Sequence, residues 1–158
     1  MNNGTFIEKA FYGKTKKEHN NYSLKRDGHQ NVYSYGIHYP LLFRVGDLTL
    51  LNDIGYSNST SKHINLARGV DSDAISVKLY PEREGYGSGY THIGRMLWYG
   101  EGESSPETVL DEIIGGMQHH LSDLYDKMDA KKRKNTQVYA DLERQFDNIA
   151  SAIAEMEA

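Results

Sequence analysis

Two apolar stripes dominate the second half of the chain. Leu110, Ile114, Met117, Leu121, Leu124 and Met128 recur at steps of 4, 3, 4, 3 and 4, and Tyr139, Leu142, Phe146, Ile149, Ile153 and Met156 at steps of 3, 4, 3, 4 and 3. Such steps keep side chains on one face of a helix and draw the narrow seam by which helices pair. From Met128 to Tyr139 the step is 11, across Lys131-Lys132-Arg133-Lys134-Asn135, and the phase is lost. Either the chain turns back there, with Asn135 or Thr136 capping a second helix, or one long helix runs through a stutter. An antiparallel hairpin accounts for the phase break and lets the two seams bury each other. The first of these helices has a clear start: Ser104 or Ser105 as cap, Pro106 in the first turn, and Glu107 against the positive end of the helix dipole.

The first hundred residues read differently. Val32 to Tyr35, Leu41 to Val45 and Leu48 to Leu51 are short aromatic and aliphatic runs, with Gly46-Asp47 as a tight turn between the last two. Ala74 to Tyr80 alternates Ile75, Val77 and Leu79 with Ser76, Lys78 and Tyr80, the pattern of a half-buried strand that Pro81 ends. Pro40 marks a strand start, an edge or a bend. Ser59-Thr60, then Ile64, Leu66 and Ala67, then Gly69, have the cap, body and stop of a short helix over 60–68. A short strand is expected near 6–12, and Ile93 to Tyr99 is read as a last strand or the edge of the core. Too little helix separates these strands for repeated parallel crossovers. The expected fold is therefore α+β: a small antiparallel sheet with one short helix over residues 1–100, followed by a helical hairpin or coiled coil over 104–158.

Charge sharpens this division. Residues 1–100 hold 12 Lys/Arg against 9 Asp/Glu, whereas residues 101–158 hold 6 against 13. The first part tolerates nucleic acid, using Lys14, Lys16, Lys17, Lys25, Arg26 and tyrosines; the second repels phosphate and suits a basic protein surface. With no cysteine in the chain, disulfides, thiolate metal sites and cysteine nucleophiles are excluded. Met1-Asn2-Asn3-Gly4-Thr5-Phe6 shows neither a basic nor an apolar leader region, and no apolar run is long enough to cross a bilayer, so the expected location is the cytoplasm.

Candidate chemistry concentrates in two Tyr-Ser-rich stretches, Tyr33-Ser34-Tyr35-Gly36-Ile37-His38-Tyr39-Pro40-Leu41 and Tyr56-Ser57-Asn58-Ser59-Thr60-Ser61-Lys62-His63. Imidazoles beside tyrosine hydroxyls can hold a metal, relay a proton or donate to phosphate. Histidines and hydroxyls in such settings more often satisfy buried polar groups. The reading adopted is a structural cluster of Tyr33, Tyr35, His38, Tyr56, Ser57, Thr60 and His63. Tyr33, Tyr35 and Tyr39 fall near alternate positions and would line one sheet face beside Arg44. His119-His120 are helix neighbours pointing about 100° apart, unable to share one metal, and no H-x-x-x-H or H-E-x-x-H spacing occurs. No nucleophile elbow or phosphate-loop context accompanies Ser57 to Ser61 or Gly85 to Gly89. No metal, cofactor or catalytic residue is expected. Twelve tyrosines against four phenylalanines instead favour recognition, since tyrosine combines rigid area with a polar tip. Tyr86, Tyr90 and Tyr99, together with Glu112, Asp123 and Asp126, are the expected partner contacts.

The strings Y-S-Y-G-x-H-Y-P-L and Y-S-x-S-T-x-x-H, within about residues 31–68, resemble a family of uncharacterised small proteins of bacteriophages and plasmids. What the resemblance implies is a mobile-element context and, by kind, an inhibitor of host defence, in particular an anti-CRISPR protein that binds a Cas effector nuclease and blocks nucleic-acid access or cleavage. A phage nucleic-acid-binding accessory protein, or a small nuclease or hydrolase using His38 and His63, are the alternatives. Because each helical seam is one stripe wide, a hairpin alone leaves Leu110, Met117, Tyr139, Phe146 or Ile153 partly bare unless the sheet docks on it. A homodimer through residues 105–156 is expected on that ground.

Overall fold

The computed structural model describes residues 1–20, 23–37, 39–54, 58–79, 90–100 and 105–158. The chain opens with helix α1 (Asn3–Phe11), not with a strand. Its apolar residues Phe6, Ile7, Ala10 and Phe11 fall at i, i+1, i+4 and i+5, which share a face only in a helix, and all four are buried. Asn2 caps it, the side-chain oxygen accepting from the Thr5 N–H at 2.8 Å.

Strands β1 (Glu18–His19), β2 (Leu24–Arg26), β3 (Val32–Ser34), β4 (Pro40–Val45) and β5 (Leu48–Asn52) follow as an antiparallel meander, each beside its sequence neighbour. Pro40 does start a strand, pairing with Tyr33 where the β3–β4 register shifts. Val45 pairs with Leu48 across Gly46-Asp47, and Gly46 takes φ 59°, the left-handed conformation wanted at the first central position of a primed hairpin turn. Helix α2 (Asn58–Arg68) then carries the chain to β6 (Ile75–Val77), which joins β5 in parallel, Leu51 opposite Ser76. The sheet is thus antiparallel except at this last pair, which α2 makes possible as the crossover a parallel neighbour requires.

Residues Ile93 to Tyr99 belong to helix α3 (Tyr90–Tyr99), which corrects the expected strand. Ile93, Met96 and Leu97 step by three and one, a helical stripe that packs on the core. Helices α4 (Pro106–Asp129) and α5 (Gln137–Glu157) pack against each other as the expected hairpin. The caps are Ser105, whose hydroxyl accepts from the Thr108 N–H at 3.3 Å, and Thr136, which accepts from Tyr139 N–H at 3.2 Å. Among the described residues no helix is long and apolar enough to cross a membrane.

Helices cover both faces of the sheet. On β3, Tyr33 points toward α3 and meets Trp98, while Ser34 points the other way and meets α2. Helix α1 packs on α2, α4 on α3, and α5 on β6. One apolar cluster runs from Phe6 and Leu42 through Met96 and Met117 to Ile153. The seam is therefore covered inside the chain: Met117, Leu124, Ile149 and Met156 are buried by the opposing helix and the sheet layer, and Leu110, Leu121, Leu142 and Phe146 pack against them half-buried.

Candidate functional site

The anticipated histidine cluster divides. His38, Tyr56 and Ser57 lie outside the described residues, as does Tyr86. What remains is a buried tie between β3 and α2: the Ser34 hydroxyl sits 2.8 Å from His63 Nδ1 and 3.4 Å from the Thr60 hydroxyl, and all three residues are buried. Tyr35 closes it from outside, its ring stacked on the imidazole at 5.5 Å. Tyr35 reaches His63 because it leaves the strand at φ 59°, which breaks the alternation that would have set it beside Tyr33. Tyr33 is therefore a correction: it is buried, and it lies on the opposite face of the sheet from His63.

A serine hydroxyl on an imidazole nitrogen is the geometry of a nucleophile and its base. Here Ser34 is 1% exposed and His63 3%, and the hydrogen-bonded pair fastens the α2 crossover to the sheet. Burial pushes the His63 pKa below the usual 6.5. The unfolded chain then binds the proton more readily than the folded one, so the stability His63 contributes is intact above about pH 6.5 and is lost as pH falls through the depressed folded value. The thermal midpoint is expected to drop between about pH 7 and about pH 5, and the drop should be shallower in His63→Asn. Equal slopes in melts of the two proteins would refute a titrating role for His63.

A second polar network was not anticipated. Asp27, 3% exposed, accepts from the backbone N–H groups of His29 (2.8 Å) and Asn31 (2.9 Å) on Oδ1, and from Asn31 Nδ2 (3.0 Å) and the Tyr33 hydroxyl (2.7 Å) on Oδ2. Four donors on one carboxylate allow the charge to be buried. Burial first, and the Asp27 charge and hydrogen bond next, push the Tyr33 phenol far above its ordinary range, so it remains a donor. The only local signal was Asp27-Gly28, an Asx-turn opening; its partner Tyr33 sits on the returning strand of the hairpin. This network holds the β2–β3 loop, where Gln30 takes φ 68°.

The expected partner residues lie mainly at the surface. Tyr99 is 60% exposed at the end of α3; Tyr90 begins that helix, its side chain outside the description. On α4, Asp126 is exposed, Asp123 half-buried, and the Glu112 carboxylate lies 3.9 Å from His92 Nε2. Sequence reading overlooked Tyr125, which is 60% exposed beside Asp126. Glu107, Asp111, Asp129, Glu143, Asp147 and Glu155 are exposed as well, so the outer surface of the hairpin is acidic along its stem. Its exposed cations gather at the tip, Lys127 and Lys131 to Lys134, apart from Arg144. Among the described residues no three metal-capable side chains come together. No family model, curated protein or solved structure matches the chain significantly.

Proposed function

We propose that the chain is a binding protein that acts stoichiometrically on a basic protein surface through the outer face of the α4–α5 hairpin. The observation that carries this reading is the division of labour within the hairpin. Its apolar stripe is spent on the chain's own core, while the stem turns outward a row of carboxylates with Tyr125 largely exposed among them. Acidic fields steer a protein toward basic partners, and exposed tyrosine supplies the apolar contact that charge alone lacks. A surface that ordinarily holds nucleic acid is the most strongly basic target of this kind. Together with the mobile-element resemblance of residues 31–68, this supports a Cas effector nuclease as the partner, its nucleic-acid access or cleavage blocked.

The test is target cleavage by a panel of Cas nucleases. One member is expected to stop at about one equivalent of the protein, and the paired change Tyr125→Ala with Asp126→Lys should raise the amount needed at least about tenfold without moving the thermal midpoint. No slowing of any nuclease by a large excess refutes the inhibitor reading. A second reading rests on the exposed cations Lys14, Lys16 and Lys17: direct nucleic-acid binding, recognised by a steep fall in affinity with salt.

A further inference from the structure

Strand β6 is the last of the sheet, and no described strand lies on its far side. The Val77 carbonyl accepts the Asp53 N–H at 3.1 Å, so Val77 gives its backbone groups to β5. In a parallel ladder alternate residues bond the same neighbour, and Ser76 therefore turns its N–H and C=O to the free edge. The Ser76 side chain is exposed as well. An edge of this kind is a template for a further strand. Along it lies a cleft of about 430 Å³, walled by Ser76 and its neighbours in β6 on one side and by Asn148, Ser151 and Glu155 of α5 on the other. Half-buried Ile75 and buried Ile149 and Ala152 give it an apolar floor.

What fits is one extended segment. At the spacings of a sheet the cleft holds about three residues of strand, and β6 itself has 3. A second copy pairing edge to edge would bring its own α5 against the first, whereas a lone segment needs only the room beside β6. The charge of that segment follows from the surroundings. Asp53 is bracketed by Lys78 and, at 3.4 Å, by Arg68, which occupies the cations at this end of the sheet. The exposed carboxylates of Asp73, just ahead of β6, and of Glu155 have no cation beside them among the described residues. An incoming strand presents every second side chain to α5. An apolar one then meets the floor while those two residues away reach the carboxylates.

We infer that the β6 edge takes an extended basic segment of a partner protein as an added strand, its backbone paired with Ser76, a small apolar side chain on the Ile75–Ile149–Ala152 floor, and Lys or Arg two residues away toward Glu155 or Asp73. The inference rests on the basic partner proposed above and adds the kind of segment that partner offers. The probe is a fluorescent heptapeptide, Gly-Lys-Thr-Val-Thr-Lys-Gly, followed by anisotropy. It should bind saturably below about 1 mM, and the same peptide with Glu for both Lys at least about tenfold more weakly. Ser76→Pro should weaken binding by about tenfold or more at an unchanged thermal midpoint, because it removes the outward N–H and no bond to β5. Ser76→Ala should leave it unchanged, and Glu155→Lys should weaken it by about fivefold. No nuclease enters this measurement, and Tyr125→Ala with Asp126→Lys, which leaves β6 untouched, should keep the peptide affinity, so its outcome is separate from that of the cleavage assay.

No saturable change with the lysine peptide overturns the inference, as does unchanged affinity in a folded Ser76→Pro protein. If Ser76→Pro does not fold, Ser151→Arg decides, since it fills the cleft from the exposed side of α5, and unchanged affinity there is equally fatal. A doubled mass in light scattering that Ser76→Pro abolishes, without peptide binding, would assign the edge to a second copy and overturn the peptide.

Discussion

Replacing Gly94 with alanine should destabilise the protein by at least about 3 kcal/mol, although alanine is the better helix former. A Cβ at this position would overlap the Ile37 carbonyl oxygen and come within 3.4 Å of Pro40 Cδ, because α3 crosses the segment leading into β4 at backbone contact. Helix propensity would return about 1 kcal/mol. The overlap is with backbone on both sides, so relief requires moving α3 off the sheet and opening the packing of Ile93 and Met96, both buried. At this chain length about 3 kcal/mol corresponds to a thermal midpoint lower by about 10 °C. Gly115 provides the control. It lies inside α4, and a Cβ there meets nothing within 4 Å, so Gly115→Ala should raise stability by up to about 1 kcal/mol. Thermal melts of both variants check the pair, and equal midpoints would show that α3 does not sit this close to residue 37.

The second large effect is expected at Ile149. It is 1% exposed, where α5 meets α4 and the sheet layer. Ile149→Asp would place a carboxylate there without a partner, at a cost of several kcal/mol, enough to consume most of a small protein's stability. The expected outcome is loss of cooperative unfolding and of helical circular dichroism. Val138→Asp, in the first turn of the same helix and 57% exposed, should change stability by no more than about 0.5 kcal/mol. If Ile149→Asp left a fully helical protein of halved mass in light scattering, the seam would have to be an interface between copies and not the inside of one chain.

The polar ties were legible to different degrees. Ser34, Thr60 and His63 could be nominated because each falls in a Tyr-Ser-rich string, but nothing local places Tyr33 on the opposite face from His63. That depends on the pleat of β3 and on Tyr35 leaving it with positive φ. Asp27 was passed over because one carboxylate in a charged stretch is usually solvated. Its burial becomes tolerable only when Tyr33, on the returning strand, supplies the fourth donor. Arg44 carried no signal beyond being a cation in an apolar run. Its setting comes from Phe11, 33 residues earlier, whose ring lies beneath the guanidinium and whose carbonyl accepts from it.

The sequence by itself determined what bonds within a few residues can decide. The helical stripes of α4 and α5, the Ser105 and Thr136 caps, the Gly46-Asp47 turn and the short helix after residue 58 all rest on contacts between positions no more than four apart. The tertiary structure decided the segments whose local signal was weak or divided. Helices α1 and α3 have 9 and 10 residues, short enough to be marginal alone, and they exist because one face of each is buried against the sheet and its neighbouring helices. The parallel β5–β6 pair needs the whole of α2 as a crossover and could not be read from either strand. Burial also settled the fate of the seams, since a stripe of threes and fours specifies an apolar face but not which surface covers it. In this chain the opposing helix and the sheet layer cover it, leaving the acidic side turned outward.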